Sequence, residues 1–271
     1  MVVFTKVKKE ELLKFIKDFS LEEVKTIYEE IRAKKGATTL ILYNSGKLLL
    51  QGPSAEVHKI ALQLERQELG VWEKEQKFEK ESGWVIGSDE ALKGDTFGGV
   101  VVAAVKADEK IRQKLIEYGV KDSKKLSDTE IPQLAGKIKK TAWCEIKSLL
   151  PAEYNKNGDI TSLLNILHQS CASYLLPGKH IVDKYPGCTV GEIQEEHAED
   201  KYVEVAAASI LARAAALEQL NALSKEAGFR LPLGSTHVYL ALTEMKEKNL
   251  DFSKFAKLNF KNVQEVVNSK P

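Results

Sequence analysis

The sequence predicts an α/β protein in two units, a small α+β module and then a larger mixed sheet flanked by helices. Apolar β-prone runs alternate with amphipathic stretches along the chain. A charge-dense stretch at residues 71–82 interrupts that alternation once. Beyond it, the apolar strand Val85-Ile86-Gly87-Ser88-Asp89-Glu90 ends in adjacent acids. A glycine-bearing turn and the apolar return Val100 to Val105 follow.

Residues 1–70 form the first unit. Leu12, Phe15, Ile16 and Phe19 recur at helical spacing and predict a helix from Glu10 to Phe19. Ser20 with Glu23 has the form of a capping box, and Val24, Ile27, Tyr28 and Ile31 repeat the spacing, so a second helix is expected up to Gly36. Thr38 to Tyr43 and Lys47 to Gln51 are β-prone runs joined by Asn44-Ser45-Gly46, a hairpin signal. A helix from Ser54 to Leu69 turns Val57, Ile60, Ala61 and Leu64 inward. One sheet face is left over; the module is either a structural appendage or, with lysines flanking that face, a surface for nucleic acid.

Residues 71–82 read as a linker, with the boundary near residue 78, and residues 83–271 as the second domain. After the focal hairpin come a helix over Glu109 to Tyr118 and the run Gly119-Val120-Lys121-Asp122-Ser123-Lys124-Lys125-Leu126. Ser127 is placed to cap a helix from Asp128 to Lys139. A strand over Thr141 to Leu150, a helix over Ile160 to Leu176 and a short strand, Lys179 to Asp183, complete the sheet. Val203 to Ala222 is so rich in alanine that it can approach a sheet closely, which marks it as the buried central helix. An amphipathic helix over Val238 to Lys248 and an element through Phe252, Phe255, Leu258 and Phe260 close the chain.

Composition bounds the function. The 271 residues carry a formal net charge of +1, so any attraction for nucleic acid comes from local lysine clusters such as Lys121, Lys124 and Lys125. Three widely spaced cysteines without a CxxC pair point to a reducing, cytoplasmic setting and away from a zinc site. The N-terminus lacks the form of a signal peptide, and no run reaches the roughly 20 apolar residues of a membrane span.

Asp89 and Asp183 stand at strand ends, and Glu199 stands just ahead of the alanine-rich helix. Neighbouring parallel strands would bring these carboxylates to one sheet edge. A set of carboxylates without His or Cys suits two hard cations, Mg²⁺ or Mn²⁺. Two such ions about 4 Å apart activate water and stabilise the leaving oxygen in phosphodiester cleavage.

The chain resembles the bacterial type 2 ribonucleases H, most closely ribonuclease HIII. The resemblance rests on Gly87-Ser88-Asp89-Glu90 with Gly94-Asp95 and Phe97-Gly98, the run Gly119 to Leu126, Val182-Asp183 and Ala198-Glu199. Val205-Ala206-Ala207-Ala208-Ser209-Ile210-Leu211-Ala212-Arg213 and Ala256-Lys257-Leu258 with Phe260 continue it. Tyr43-Asn44-Ser45-Gly46-Lys47-Leu48 and Gln51-Gly52 extend it into residues 1–70. It implies a ribonuclease H-like mixed sheet flanked by helices, preceded by a TATA-binding-protein-like substrate-binding domain. It implies a monomeric endonuclease that cuts the RNA strand of an RNA–DNA hybrid duplex, leaving 5′-phosphate and 3′-hydroxyl ends. Asp89, Glu90, Asp183 and Glu199 would ligate two Mg²⁺ or Mn²⁺ ions, with Asp200 as rival for the fourth place. Leu92-Lys93-Gly94, Lys121, Ser123 and Lys124 would meet the duplex. The alternatives are cleavage at single ribonucleotides embedded in DNA, as in ribonuclease HII, a junction resolvase, and non-catalytic hybrid binding. The chain departs from the pattern at Leu92, where the family has the first glycine of Gly-x-Gly. It departs again at Gly99, where proline is common, and at Asn259, where histidine is expected.

Overall fold

A computed structural model describes residues 2–72, 78–79 and 81–269. The chain divides into two compact units, Met1–Glu75 and Gln76–Pro271. The linker charges Glu73, Lys74, Glu75, Lys77 and Lys80 lie outside the described residues.

The first unit runs β1 (Val2–Thr5), α1 (Lys9–Phe15), β2 (Ser20–Glu22), β3 (Glu29–Lys35), β4 (Thr38–Tyr43), β5 (Leu48–Gln51), α2 (Ser54–Arg66) and β6 (Val71–Trp72). Its antiparallel sheet has the order β2-β3-β4-β5-β1-β6. The expected hairpin is β4–β5, with Leu40 opposite Leu50 and Leu42 opposite Leu48. Those residues bury against Val57, Ile60, Ala61 and Leu64 of α2. Alternation sends Arg32, Lys34, Thr39, Tyr43, Leu49 and Gln51 to the other face. At the start of the charge-dense stretch, Val71 and Trp72 pair with β1, and the Trp72 ring stacks on Phe4 at 5.7 Å.

The helix expected over residues 20–36 is absent: β2 and β3 occupy that stretch. Helical spacing linked Val24, Ile27, Tyr28 and Ile31, yet Ile27 is 84% exposed and only Ile31 of the four is buried. What decides the conformation is the sheet. With strand periodicity Ile31 and Ala33 face inward, opposite Leu42 and Leu40 of β4, and both reach the core. A helix would have forgone that pairing.

The second unit contains β7 (Val85–Ala91), β8 (Val100–Ala107), α3 (Glu109–Glu117), α4 (Glu130–Thr141), β9 (Trp143–Leu149), α5 (Pro151–Tyr154), α6 (Ile160–Leu175), β10 (Lys179–Asp183), β11 (Ile193–Glu195), α7 (Ala198–Lys201), α8 (Val203–Ala227), α9 (Tyr239–Glu247) and α10 (Lys261–Asn268). Its sheet order is β11-β10-β7-β8-β9. β7, β8 and β9 form an antiparallel meander, while β10 pairs in parallel with both β7 and β11. Just ahead of α4, whose N-cap position is Thr129, Ser127 and Glu130 exchange hydrogen bonds, Ser127 N–H to Glu130 Oε2 at 2.8 Å and Glu130 N–H to Ser127 Oγ at 3.3 Å.

Two helices sandwich this sheet. Ile86, Val102 and Val182 face α6 through Leu163, Leu164 and Leu167. Gly87 faces α8, and its lack of a side chain is obligatory: a Cβ there would lie 2.3 Å from the Val205 nitrogen. The start of α8 therefore rests directly on the backbone of β7, two residues before Asp89. Buried Arg112 of α3 fixes the same corner, donating to Glu204 Oε1 at 2.5 Å and to the Glu81 and Gly83 carbonyls at 2.7 and 3.0 Å. Among the described residues no helix is long and apolar enough to cross a membrane.

Candidate active site

Strand alternation divides the site between two faces. Asp89 shares the α8 face with Gly87 and accepts a hydrogen bond from the Ser209 hydroxyl, while its Oδ1 takes the Glu90 N–H at 2.7 Å. Ser88 and Glu90 share the α6 face, towards His168. Because Val182 of parallel β10 pairs with Ser88, Asp183 leaves its strand beside Asp89. Asp183 Oδ1 accepts the Ala198 N–H of α7 at 3.0 Å, and Glu199 follows directly, 2% exposed.

The electrostatics record this crowding. Burial, with Glu90 and Asp183 alongside, drives the Asp89 carboxyl well above the ordinary range. Burial and Glu199 push Asp183 up to about 6. Glu90 goes the other way: burial works against its charge, but His168 and Lys93 outweigh it and hold the pKa down.

Two lysines stand among these acids. Lys93 pairs with Glu90 Oε1, and Lys124 Nζ lies 3.0 Å from Glu199 Oε1. Lys124 comes from the turn Ser123–Lys125, opened by Asp122, whose Oδ1 accepts the Lys124 N–H at 2.9 Å. The next lysine, Lys125, meets Asp200 at 2.9 Å, with that carboxylate 47% exposed. Glu199, not Asp200, is thus the acid buried towards Asp183. Asp89, Glu90, Asp183, Lys93, Lys124 and Arg213 line one cleft of 520 Å³.

The donor set fits hard divalent cations: all oxygen and strongly like-charged, with Asp89 and Asp183 raised by burial and by the acids beside them. As they stand, no three His, Cys, Asp or Glu side chains among the described residues are arranged to hold an ion. Glu90 is turned onto Lys93 and Glu199 onto Lys124, so both would have to exchange an ammonium for the metal.

The remaining expected contacts separate. Leu92 occupies the left-handed region at φ +66 with its side chain buried, so the turn does not avoid positive φ there. Gly94 is exposed with open space about it. Lys124 reaches the cleft, whereas Lys121 lines a separate depression beside Tyr118 and Lys137. Ser123 lines the cleft but is buried, its hydroxyl 2.8 Å from that of Ser209. Gly99 donates its N–H to Gln219 at 2.8 Å, a bond proline cannot make.

Sequence reading passed over two further groups. His168 and His180 both touch Ser88, and the signal was Ser88 standing two strand residues before Glu90. Lys257 is fully buried, donating to the Asp95 and Gly98 carbonyls at 2.6 and 3.0 Å and thereby holding the loop after Glu90.

The family model for Ribonuclease HII matches residues 86–263. Ribonuclease HIII of Enterococcus faecalis is 32% identical over 300 residues, covering 91% of this chain and 95% of that protein. Ribonuclease HIII of Streptococcus agalactiae is 32% identical over 88% of each chain. The chain belongs to the ribonuclease HIII family. The crystal structure of Bst-RNase HIII in complex with Mn²⁺ matches with a TM-score of 0.62 and 26% identity, over 98% of this chain and 97% of that one. Aquifex aeolicus RNase H3 gives 0.56 and 26%, over 95% and 99%. The α/β architecture, mixed sheet and helices together, is that of the family. The protein is a ribonuclease H, an endoribonuclease acting on RNA–DNA hybrids.

Proposed function

We propose that this ribonuclease HIII hydrolyses the RNA strand by two-metal-ion catalysis, with Asp89, Glu90, Asp183 and Glu199 holding Mg²⁺ or Mn²⁺. The observation that carries the reading is the exit of Asp89 and Asp183 side by side from neighbouring parallel strands. Bound cations would relieve the charge that these carboxylates crowd at one edge. The relative solved with Mn²⁺ supports the choice of ion.

When bound, such ions activate a water and stabilise the leaving oxygen, giving 5′-phosphate and 3′-hydroxyl ends. The chain's own groups do the positioning. Asp89, fixed by the Ser209 hydroxyl, would be one of the side chains that hold the ions. Lys93 and Lys124, once off their glutamates, are free to neutralise the phosphates flanking the cut. The turn Leu92-Lys93-Gly94 presents backbone to the wide minor groove and its 2′-hydroxyls. Residues 1–70 act as a TATA-binding-protein-like substrate domain, laying the sheet face of Arg32, Lys34 and Tyr43 on the duplex. The three free thiols suit a protein of the reducing cytoplasm.

The test is cleavage of a labelled RNA–DNA hybrid and, separately, of DNA bearing one ribonucleotide, with Mg²⁺ or Mn²⁺ supplied. Efficient cutting of the hybrid, lost on chelation and in Asp89→Asn, is expected. Preference for the lone ribonucleotide would move the assignment to the ribonuclease HII type, and an active Asp89→Asn would end the two-metal reading.

A further inference from the structure

We infer that His168 is a positioning residue for Glu90, presenting it an Nε2–H in a tautomer set by Ser88 and, behind it, His180. The inference rests on the reading of Glu90 as a metal ligand.

His168 projects from α6 and is fully buried. Its Nδ1 lies 2.8 Å from Ser88 Oγ, and the same oxygen lies 2.8 Å from His180 Nε2 on β10. Its Nε2 faces Glu90 Oε2 at 3.4 Å. Both atoms of that last contact are buried, and neither has reached hydrogen-bond geometry with any partner. Two orphaned atoms facing one another define what the site is built to join.

A hydroxyl has a single proton to give, so Ser88 donates to one histidine and accepts from the other. Suppose it donated to His180. A neutral His168 would then donate through Nδ1 and turn the Nε2 lone pair onto a carboxylate oxygen, leaving two buried acceptors opposed. The reverse order has no such conflict and buries no second charge. His180 Nε2–H donates to Ser88, Ser88 donates to His168 Nδ1, and His168 offers Nε2–H to Glu90. Burial pushes His180 down to about 4, so it is neutral and carries the one proton this order needs.

The two grips on Glu90 differ in kind. Lys93 holds Oε1 from a side chain 40% exposed and can swing away, with the Tyr185 ring 5.4 Å from its ammonium. His168 holds the Oε2 side from a ring wedged between α6 and Tyr185, centroids 5.3 Å apart, and cannot. An ion that displaces Lys93 would therefore find Glu90 already oriented, the role outer partners play for metal-ligating carboxylates.

Mn²⁺ titrated calorimetrically into the chelator-stripped full chain tests this, with His168→Gln, His168→Asn, Ser88→Ala and Glu90→Gln beside wild type. The Gln amide nitrogen reaches the Nε2 position, whereas the Asn amide reaches only Ser88. His168→Asn should weaken Mn²⁺ binding about tenfold or more, and His168→Gln should restore most of it. Ser88→Ala, which frees the tautomer, should fall between. In cleavage assays at limiting Mn²⁺, kcat should fall in His168→Asn while KM for the hybrid holds. Equal affinities for His168→Asn and His168→Gln overturn the inference, since a merely structural histidine would not distinguish them. An unchanged affinity in Ser88→Ala, which carries the test should His168→Asn fail to fold, overturns the tautomer order. Glu90→Gln separates the two levels: if it binds Mn²⁺ like wild type, the ligand assignment fails first.

Discussion

Asp89 and Asp183 are held by hydrogen bonds from neutral groups, the Ser209 hydroxyl and the N–H groups of Glu90 and Ala198. Glu90, in the same cleft, and Glu199, buried behind Lys124, rest instead on the ammonium groups of Lys93 and Lys124. The difference follows from reach. Short aspartates at strand ends are placed by the backbone and must bear one another's charge, and their raised pKa values show that they do. Glutamates have an extra methylene and turn to the nearest cation. If the four acids hold ions as proposed, the two aspartates would be the fixed points and the two glutamates the arms that close on the metal.

Removing a fixed point should have the largest effect. Asp89→Asn is expected to lower hybrid cleavage by at least about 10³-fold. The same change takes one charge from a repulsive cluster, so the chelator-treated variant should melt above wild type. Activity and stability moving in opposite directions is the signature. A variant that lost both together would mean that Asp89 is structural and that the contrast with the glutamates is false.

The fixed points were legible in the sequence because they depend on local signals: an apolar run, an acid at its end, and a parallel partner with the same ending. The alanines of α8 likewise announced a helix lying close on the sheet. The histidine grip on Glu90 was not legible, because Ser88, His168 and His180 meet only after α6 folds across the sheet. Residues 20–35 were misread for the related reason that Ile31 satisfies helix and strand spacing alike, and only pairing with β4 chooses between them. Lys257 entered only as part of the run Ala256-Lys257-Leu258, with no local signal that its ammonium would be buried.

Lys257 offers the next test, as a buried ammonium that meets carbonyls where Lys93 and Lys124 meet carboxylates. It sits between the Tyr154 and Phe260 rings, 5.3 and 5.4 Å from their centroids. Burial pushes it down to about 7 from an ordinary 10.5, with Asp95 opposing. The folded state thus binds this proton less tightly than the unfolded chain. Between pH 7 and about 10.5 the unfolded state holds more protons, so stability should rise with pH, at a slope approaching about 1.4 kcal/mol per unit. Below pH 7 both states are protonated and the slope vanishes. Denaturant melts across that range should show the rise in wild type and a flat profile in Lys257→Met. A slope that survives the substitution would assign it to other groups.

Freeing an arm should act more gently than removing a fixed point. Lys124→Met leaves Glu199 without its ammonium, at a stability cost of about 1 kcal/mol for so exposed a partner. Mn²⁺ no longer competes with the lysine, so calorimetry should find it bound about tenfold more tightly, roughly 1.4 kcal/mol. Affinity for the hybrid should fall, with a shallower dependence on salt, because one phosphate contact is gone. Weaker Mn²⁺ binding in Lys124→Met would instead make the lysine a support of the site.

The smallest effect concerns the turn from which Lys93 reaches back to Glu90. Leu92 stands at φ +66, where a leucine is strained by roughly 1–2 kcal/mol. Its side chain is buried in the α8 core, with Cδ1 lying 2.8 Å from where a Cβ on Gly98 would sit. Burial of a leucine contributes about 2–3 kcal/mol, so here the side chain offsets the backbone. Leu92→Ala loses the packing and keeps the strain, while Leu92→Gly loses the packing and sheds it. Glycine should therefore destabilise less than alanine, by about 1 kcal/mol, a reversal of their usual order that equilibrium melts can resolve. The conformation itself is one that glycine adopts without strain, so Leu92→Gly should leave the preference for hybrid over single-ribonucleotide substrates unchanged. If that preference shifted, the leucine would be acting on the substrate through its side chain, and the turn would belong with the movable arms and not with the fixed frame.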